Sequence, residues 1–215
     1  MNTDKIAGAL IYSHDTATQF EEFKELFVRS GISVGSKLND LSIEQRGPLR
    51  MLVVNGEKEV EYFLLRVMPL EYFSVATMKH LNEVAETILK SESLYGLKDL
   101  AGLEQILALT NQYTFGREYH PSVIDKSAYL WTALATKQLF HNGNKRTALL
   151  TGMLLLERNF ITLKYRDVQQ LYDLSVALAK REVSEFDLRN FIKENTQLNL
   201  ESMRFYSKFY GLVRS

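Results

Sequence analysis

Gln138-Leu139-Phe140-His141-Asn142-Gly143-Asn144-Lys145-Arg146-Thr147 stands between two strongly apolar, helix-periodic stretches and has the composition of a short loop feeding a helix start. Gly143 admits the backbone geometry of a concave turn. Asn144 can bond locally or cap, and the first amides of the next helix point out of its positive end. With Lys145, Arg146 and Thr147 beside them, these groups form a receptor for an anion, phosphate above all. The residues alone leave one alternative, an ordinary helix-to-helix turn with a glycine and two solvated cations. Counting back along the preceding helix, Trp131, Ala135 and Gln138 follow at spacings of four and three, which places Gln138 on the stripe that buries its neighbours. An amide there needs hydrogen-bond partners, and this weighs toward a site. A nucleoside-triphosphatase P-loop is excluded, because that motif needs a strand before the loop and a glycine where Gln138 stands.

Outward from this loop the pattern is helical. Ile124, Ala128, Trp131 and Ala135 precede it, and Leu149, Leu150, Met153, Leu154 and Leu156 follow, each set with the spacing of a core-facing helix. Farther upstream, Met78, Leu81, Val84, Ala85 and Ile88 form one such stripe, and Leu100, Leu103, Ile106 and Leu107 another. Downstream, Asp167 is placed to cap a helix carrying Val168, Leu171, Leu174 and Leu178. Ser184 is placed to cap one carrying Leu188, Phe191 and Ile192. The stretch from Leu198 to Leu212 is aromatic-rich and less clearly periodic.

Before Pro69 the texture differs. Phe20, Phe23, Leu26 and Phe27 predict a helix over Gln19 to Val28, with Thr18 and Glu21 as a capping box and Gly31 after its end. Leu49 to Val54 and Val60 to Val67 flank Asn55-Gly56-Glu57 and predict a β-hairpin. The chain therefore divides into residues 1–70, an α+β region of unassigned role; residues 71–195, a helical domain; and residues 196–215, an aromatic-rich extension.

The chain has 215 residues, with 26 basic and 26 acidic side chains and no cysteine. Disulfides, thiolate nucleophiles and cysteine-held zinc are excluded, and a reducing, cytoplasmic location is expected. Zero formal charge gives no global electrostatic pull toward nucleic acid or anionic membrane. No stretch reaches the roughly 18 apolar residues of a spanning helix, so no membrane partner is expected. His14, His80 and His120 lack metal-ligand spacing, and no metal ligand is assigned. No nucleophile-elbow string occurs, which leaves a hydrolase triad without support. Arg204, Lys208 and Arg214 lie among Phe205, Tyr206, Phe209 and Tyr210. Such a mixture stacks on nucleic acid in some proteins, but more often it packs on the domain or on a partner chain. Nucleic acid is not expected as a partner.

The loop resembles the signature of the Fic/Doc superfamily, H-x-F-x-(D/E)-(G/A)-N-(G/K)-R, and the lysine of Asn144-Lys145-Arg146 is like the Doc (death-on-curing) branch. Gly96 to Asp99 with Leu103-Glu104, His120-Pro121, Leu155 to Asn159 and the helix after Ser184 extend the resemblance over roughly residues 71–195. It implies a mainly α, Fic/Doc-type domain whose loop holds the phosphates of a nucleotide, ATP, together with Mg²⁺ at a weakened metal site. By this resemblance Asn142, Gly143, Asn144, Lys145, Arg146 and Thr147 are the phosphate-binding residues, and Phe140 anchors the loop. Fic-branch domains transfer AMP to a protein hydroxyl. The Doc branch phosphorylates a protein target and is a toxin partnered by a small antitoxin.

Two departures bear on activity. The catalytic histidine of the family is Gln138 in this chain, and the metal-associated acid is Asn142. A histidine there accepts the proton of the attacking hydroxyl, a contribution of about 10²–10⁴ in rate that an amide cannot make near neutral pH. Loss of a carboxylate weakens a Mg²⁺ site, since that ion relies on one or two of them. His141, three residues on, is either a displaced base or a solvated loop residue. Three readings follow: an active nucleotide-dependent transferase, a silent Fic/Doc-fold module that keeps its phosphate loop, or an interaction scaffold in which the α+β N-terminal region does the work. An inhibitory Ser/Thr-x-x-x-Glu-Gly/Asn string, known in Fic relatives, is absent, so self-inhibition by that device is not expected.

Overall fold

A computed structural model describes residues 6–56, 59–87 and 94–209. The chain forms two compact units, one of residues 1–70, 159–162 and 197–215, the other of residues 71–158 and 163–196.

The first unit is a four-stranded sheet with a helix. Strand β1 (Ile6–Ser13) leads to helix α1 (Ala17–Arg29), then β2 (Leu41–Arg46), β3 (Leu49–Asn55) and β4 (Val60–Met68). The order across the sheet is β1-β4-β3-β2; β1 runs parallel to β4, and the other neighbours are antiparallel. The hairpin expected around Asn55-Gly56 is thus β3–β4, and residues 57 and 58 lie outside the described residues. Helix α1 begins earlier than its apolar spacing suggests. Its cap is Thr16, whose hydroxyl accepts from the Gln19 amide, and not Thr18. Phe23, Leu26 and Phe27 are buried, with Phe27 edge-on to Phe63 at 5.4 Å and Phe23 5.1 Å from Tyr12.

The second unit is helical. It contains α2 (Val75–Thr87), α3 (Leu100–Thr110), a small hairpin of β5 (Tyr113–Thr114) and β6 (Arg117–Glu118), α4 (Val123–Thr136) and α5 (Asn144–Arg158). Strand β7 (Ile161–Leu163) follows, then α6 (Val168–Lys180), α7 (Glu185–Asn195) and β8 (Thr196–Leu198), with residues 161–162 and 197–198 of the two strands counted in the first unit. Helix α8 (Leu200–Phe209), in the stretch of weak periodicity, belongs to the first unit and packs on β1. Ile88, expected on the α2 stripe, lies outside the described residues. Asp167 and Ser184 cap α6 and α7 as their positions predict, accepting from the amides of Gln170 and Asp187.

Helix α4 is the centre of this unit and packs against α3, α5, α6 and α7. Trp131 is fully buried and donates to the Ser175 hydroxyl on α6 at 2.6 Å. Gly152 lets α5 approach closely, because a Cβ there would sit 2.7 Å from the Trp131 ring, and Ser127 donates to the Gly152 carbonyl at 2.9 Å. At its N-terminal end Lys126 is buried and donates to the Thr110 carbonyl at 3.2 Å, with Glu118 of β6 at 3.5 Å. Burial holds the Lys126 ammonium below its ordinary pKa, with Glu118 opposing. No helix among the described residues is long and apolar enough to cross a membrane. The architecture is mainly α, with the β-rich region at the N-terminus.

Candidate functional site: the α4–α5 loop

Helix α4 stops at Thr136, and its C-cap Lys137 is already extended. Gln138 therefore follows the helix and is solvent-exposed, which corrects the buried-stripe position its spacing suggested. The chain then turns inward. Leu139 and Phe140 are buried, and the loop is zipped to residues 96–99. Lys98 and Asp99 donate to the Leu139 carbonyl at 2.8 and 3.1 Å, and the His141 amide donates to the Gly96 carbonyl at 3.0 Å. Asn144, the first residue of α5, folds back over the loop. Its Oδ1 accepts from the Phe140 amide at 2.9 Å, while its Nδ2 donates to the Phe140 carbonyl at 2.9 Å and to Gln138 Oε1 at 3.2 Å.

Gly143 takes a left-handed φ of 75°, which favours glycine. A side chain there would also collide with Glu86. Helix α2 braces this point with two buried polar groups one turn apart, Asn82 and Glu86. Asn82 Nδ2 donates to the Asn142 carbonyl at 2.9 Å and to the Thr147 hydroxyl at 3.0 Å, and its Oδ1 accepts from the Gly96 amide at 2.9 Å. Thr147 is fully buried under the loop by this bond. Glu86, 1% exposed, takes Arg146: Nη2 lies 2.5 Å and Nε 3.2 Å from its Oε1. The other oxygen, Oε2, is buried without a hydrogen-bond partner among the described residues.

Above this frame is a hollow of about 180 Å³ lined by Gln138, His141, Asn142, Gly143, Asn144, Lys145, Arg146 and Tyr172. The structure thus brings every sequence-derived site residue except Thr147 to one place. The amides of Asn144, Lys145 and Arg146 belong to the first turn of α5, have no intrahelical acceptor, and are unbonded among the described residues. Unbonded amides and cations beside a glycine turn suit an anion. Magnesium held by the protein does not fit. None of the lining residues is a carboxylate, Asn142 Oδ1 accepts from the Gly143 amide at 2.8 Å, and no group of three metal-ligating side chains occurs among the described residues.

Sequence reasoning missed Asn82, Glu86 and Tyr172. The first two carried a readable signal, polar residues interrupting the Met78–Leu81–Ala85 stripe, but their partners on the loop and α5 lie 60 or more residues away. Tyr172 carried none, since an aromatic on an amphipathic helix is ordinary.

No curated protein matches the chain. Residues 72–156 match the family model described as Fic/DOC family, a span that begins just before α2 and ends within α5. The bracing helix, the zipped loop and the start of α5 all fall inside that span, so the part of the helical unit that builds the site is similar to the Fic/DOC family.

Proposed function

We propose that the α4–α5 loop holds the phosphates of a nucleotide, ATP by the Doc-like resemblance, and that the domain transfers a phosphoryl or AMP group to a hydroxyl of a target protein. A toxin role beside a small antitoxin, in the cytoplasm, is part of the same proposal. One observation carries it: the predicted loop residues other than Thr147 line a single hollow at a helix start whose first amides are unbonded among the described residues.

In the transfer, the acceptor hydroxyl oxygen attacks phosphorus, the bond to ADP or pyrophosphate breaks, and the hydroxyl proton needs a base. His141 is the one titratable imidazole among the lining residues and takes that proton. Gln138, exposed and tied through its Oε1 to Asn144, orients the hydroxyl without accepting its proton. Lys145 and the α5 amides meet the phosphate oxygens, and Arg146 reaches them by sharing or releasing Glu86.

A second reading, a non-catalytic phosphate-binding module, draws on two features: the amide at position 138 and the buried carboxylate that holds Arg146. Calorimetry and labelled transfer separate the two. ATP binds the parent, and Arg146→Ala weakens it about tenfold, the worth of one charge-assisted bond. Absence of affinity for both ATP and pyrophosphate in the parent removes both readings. Transfer of label from ATP to a lysate protein that falls about 10²-fold in His141→Ala supports the enzyme. No transfer by the parent, with transfer appearing in Gln138→His, supports the module.

A further inference from the structure

In the first unit, α8 packs on β1, and the residues with which it lines a cavity against that strand follow the spacing of a core-facing stripe: Leu200, Met203, Arg204, Ser207 and Lys208. Only the first two are apolar, where scaffold alone would place apolar side chains throughout. On the other side β1 offers Ala7-Gly8-Ala9, and Gly8 lies beside Phe63 in the pairing with β4. These small side chains cannot fill the space under the helix. The cavity measures about 420 Å³, with Phe63 and Leu10 among its apolar walls.

Two features of the cavity are not explained by packing. Ser207 is 2% exposed, and its hydroxyl has no hydrogen-bond partner among the described residues. Such a group carries a standing cost that a ligand oxygen removes. Arg204 and Lys208, one turn apart on the same helix, are exposed and make no ion pair or hydrogen bond among the described residues. Against them the lining holds one carboxylate, Glu61, so its charge balance is positive. Pockets that enclose an organic ligand measure roughly 300–1,000 Å³, and this one falls within that range. Its lining is apolar in the body, with a hydroxyl and two cations on one helix.

We propose that this cavity is a binding site for a small organic carboxylate with an apolar body, of the medium-chain fatty-acid kind. The apolar body lies between Met203, Phe63 and the small residues of β1. The carboxylate accepts from the Ser207 hydroxyl and pairs with Arg204 and Lys208. None of these residues belongs to the α4–α5 loop, so the inference is independent of the phosphate-binding function proposed above.

The test titrates octanoate, 1-octanol and octylamine into the full chain by calorimetry, for the parent, Ser207→Ala and the double variant Arg204→Gln, Lys208→Gln, with circular dichroism as the check on folding. Octanoate binds the parent about tenfold or more tightly than either of the other two, which share its chain but not its charge. The double variant, altered only at exposed side chains, weakens octanoate by about tenfold and leaves 1-octanol within about twofold. Ser207→Ala weakens octanoate by about threefold and, without ligand, melts no lower than the parent, since no bond is lost. The inference is overturned by a parent that does not bind octanoate, by 1-octanol or octylamine binding as tightly, or by a double variant that loses nothing or loses both ligands equally. It is also overturned by a lower melting temperature of ligand-free Ser207→Ala, which would show the hydroxyl to be already bonded.

Discussion

Two helix-to-helix connections in the same unit are closed by opposite means. Between α6 and α7 the chain needs only its neighbours. Arg181 takes a left-handed φ of 62°, its amide donates to Leu178, and the Glu182 amide donates to Ala177. Two residues later Ser184 and Asp187 form a reciprocal capping box. Between α4 and α5 the chain borrows closure from elsewhere: the strand-like pairing with residues 96–99, the Asn82 clamp and the Glu86 carboxylate. At α7 the cap takes up one amide of the first turn, that of Asp187, which donates to the Ser184 hydroxyl. At α5, where remote groups close the connection, the amides of Asn144, Lys145 and Arg146 stay unbonded among the described residues. Under the function proposed above, the difference separates a turn that serves as scaffold from one that receives a ligand.

Asn82→Ala breaks the comparison most strongly. It removes three hydrogen bonds at a fully buried position, taking away the acceptor of the Gly96 amide, and costs about 3 kcal/mol in chemical denaturation. Phosphate binding falls with it. A loss below about 1 kcal/mol would mean that the loop closes itself.

Ser184→Ala is the control at the other connection. Losing one cap costs about 1 kcal/mol of stability and leaves nucleotide and phosphate affinity unchanged. A change in binding here would show that the two turns are coupled.

The smallest effect concerns Glu185, just inside the α6–α7 connection. Burial and then the Asp125 charge raise its carboxyl above the ordinary pKa. It lines a recess with His120, Asp125 and Arg189, and Asp125 is paired with Arg189. A raised folded pKa means that the charged form is disfavoured on folding. The penalty is therefore absent below the unfolded value and grows as pH rises through the folded one. Glu185→Gln accordingly stabilises at pH 7 by less than about 0.5 kcal/mol, and the gain disappears toward pH 4. Thermal melts at both pH values check it, and an equal gain at both would rule out the carboxylate as the cause.

Legibility along the chain follows the same division. The helix stripes, the caps at Asp167 and Ser184 and the β3–β4 hairpin were readable, because each rests on bonds or contacts among near neighbours. Strand β1 was not. Its Ala7-Gly8-Ala9 segment is a weak strand signal, and its pairing with β4 joins residues more than fifty apart. Strand β2 went unread beside the stronger Asn-Gly signal next to it. The loop's chemistry was legible as composition, with glycine, amides and cations in a row. The place of Gln138 was misjudged, because helical spacing was extended two residues past the point where α4 ends.

The order of residues by itself determined that an anion-suited loop separates two apolar helices in a mainly helical domain, since glycine conformation, helix-end polarity and side-chain charge are local properties. Only the tertiary structure decided that Thr147 lies beneath that loop and that Arg146 already has a buried carboxylate partner. It alone set Tyr172 into the wall. Those outcomes depend on groups that meet only once α2 and α6 are packed, and a buried charge or amide must find its partner wherever the fold supplies one.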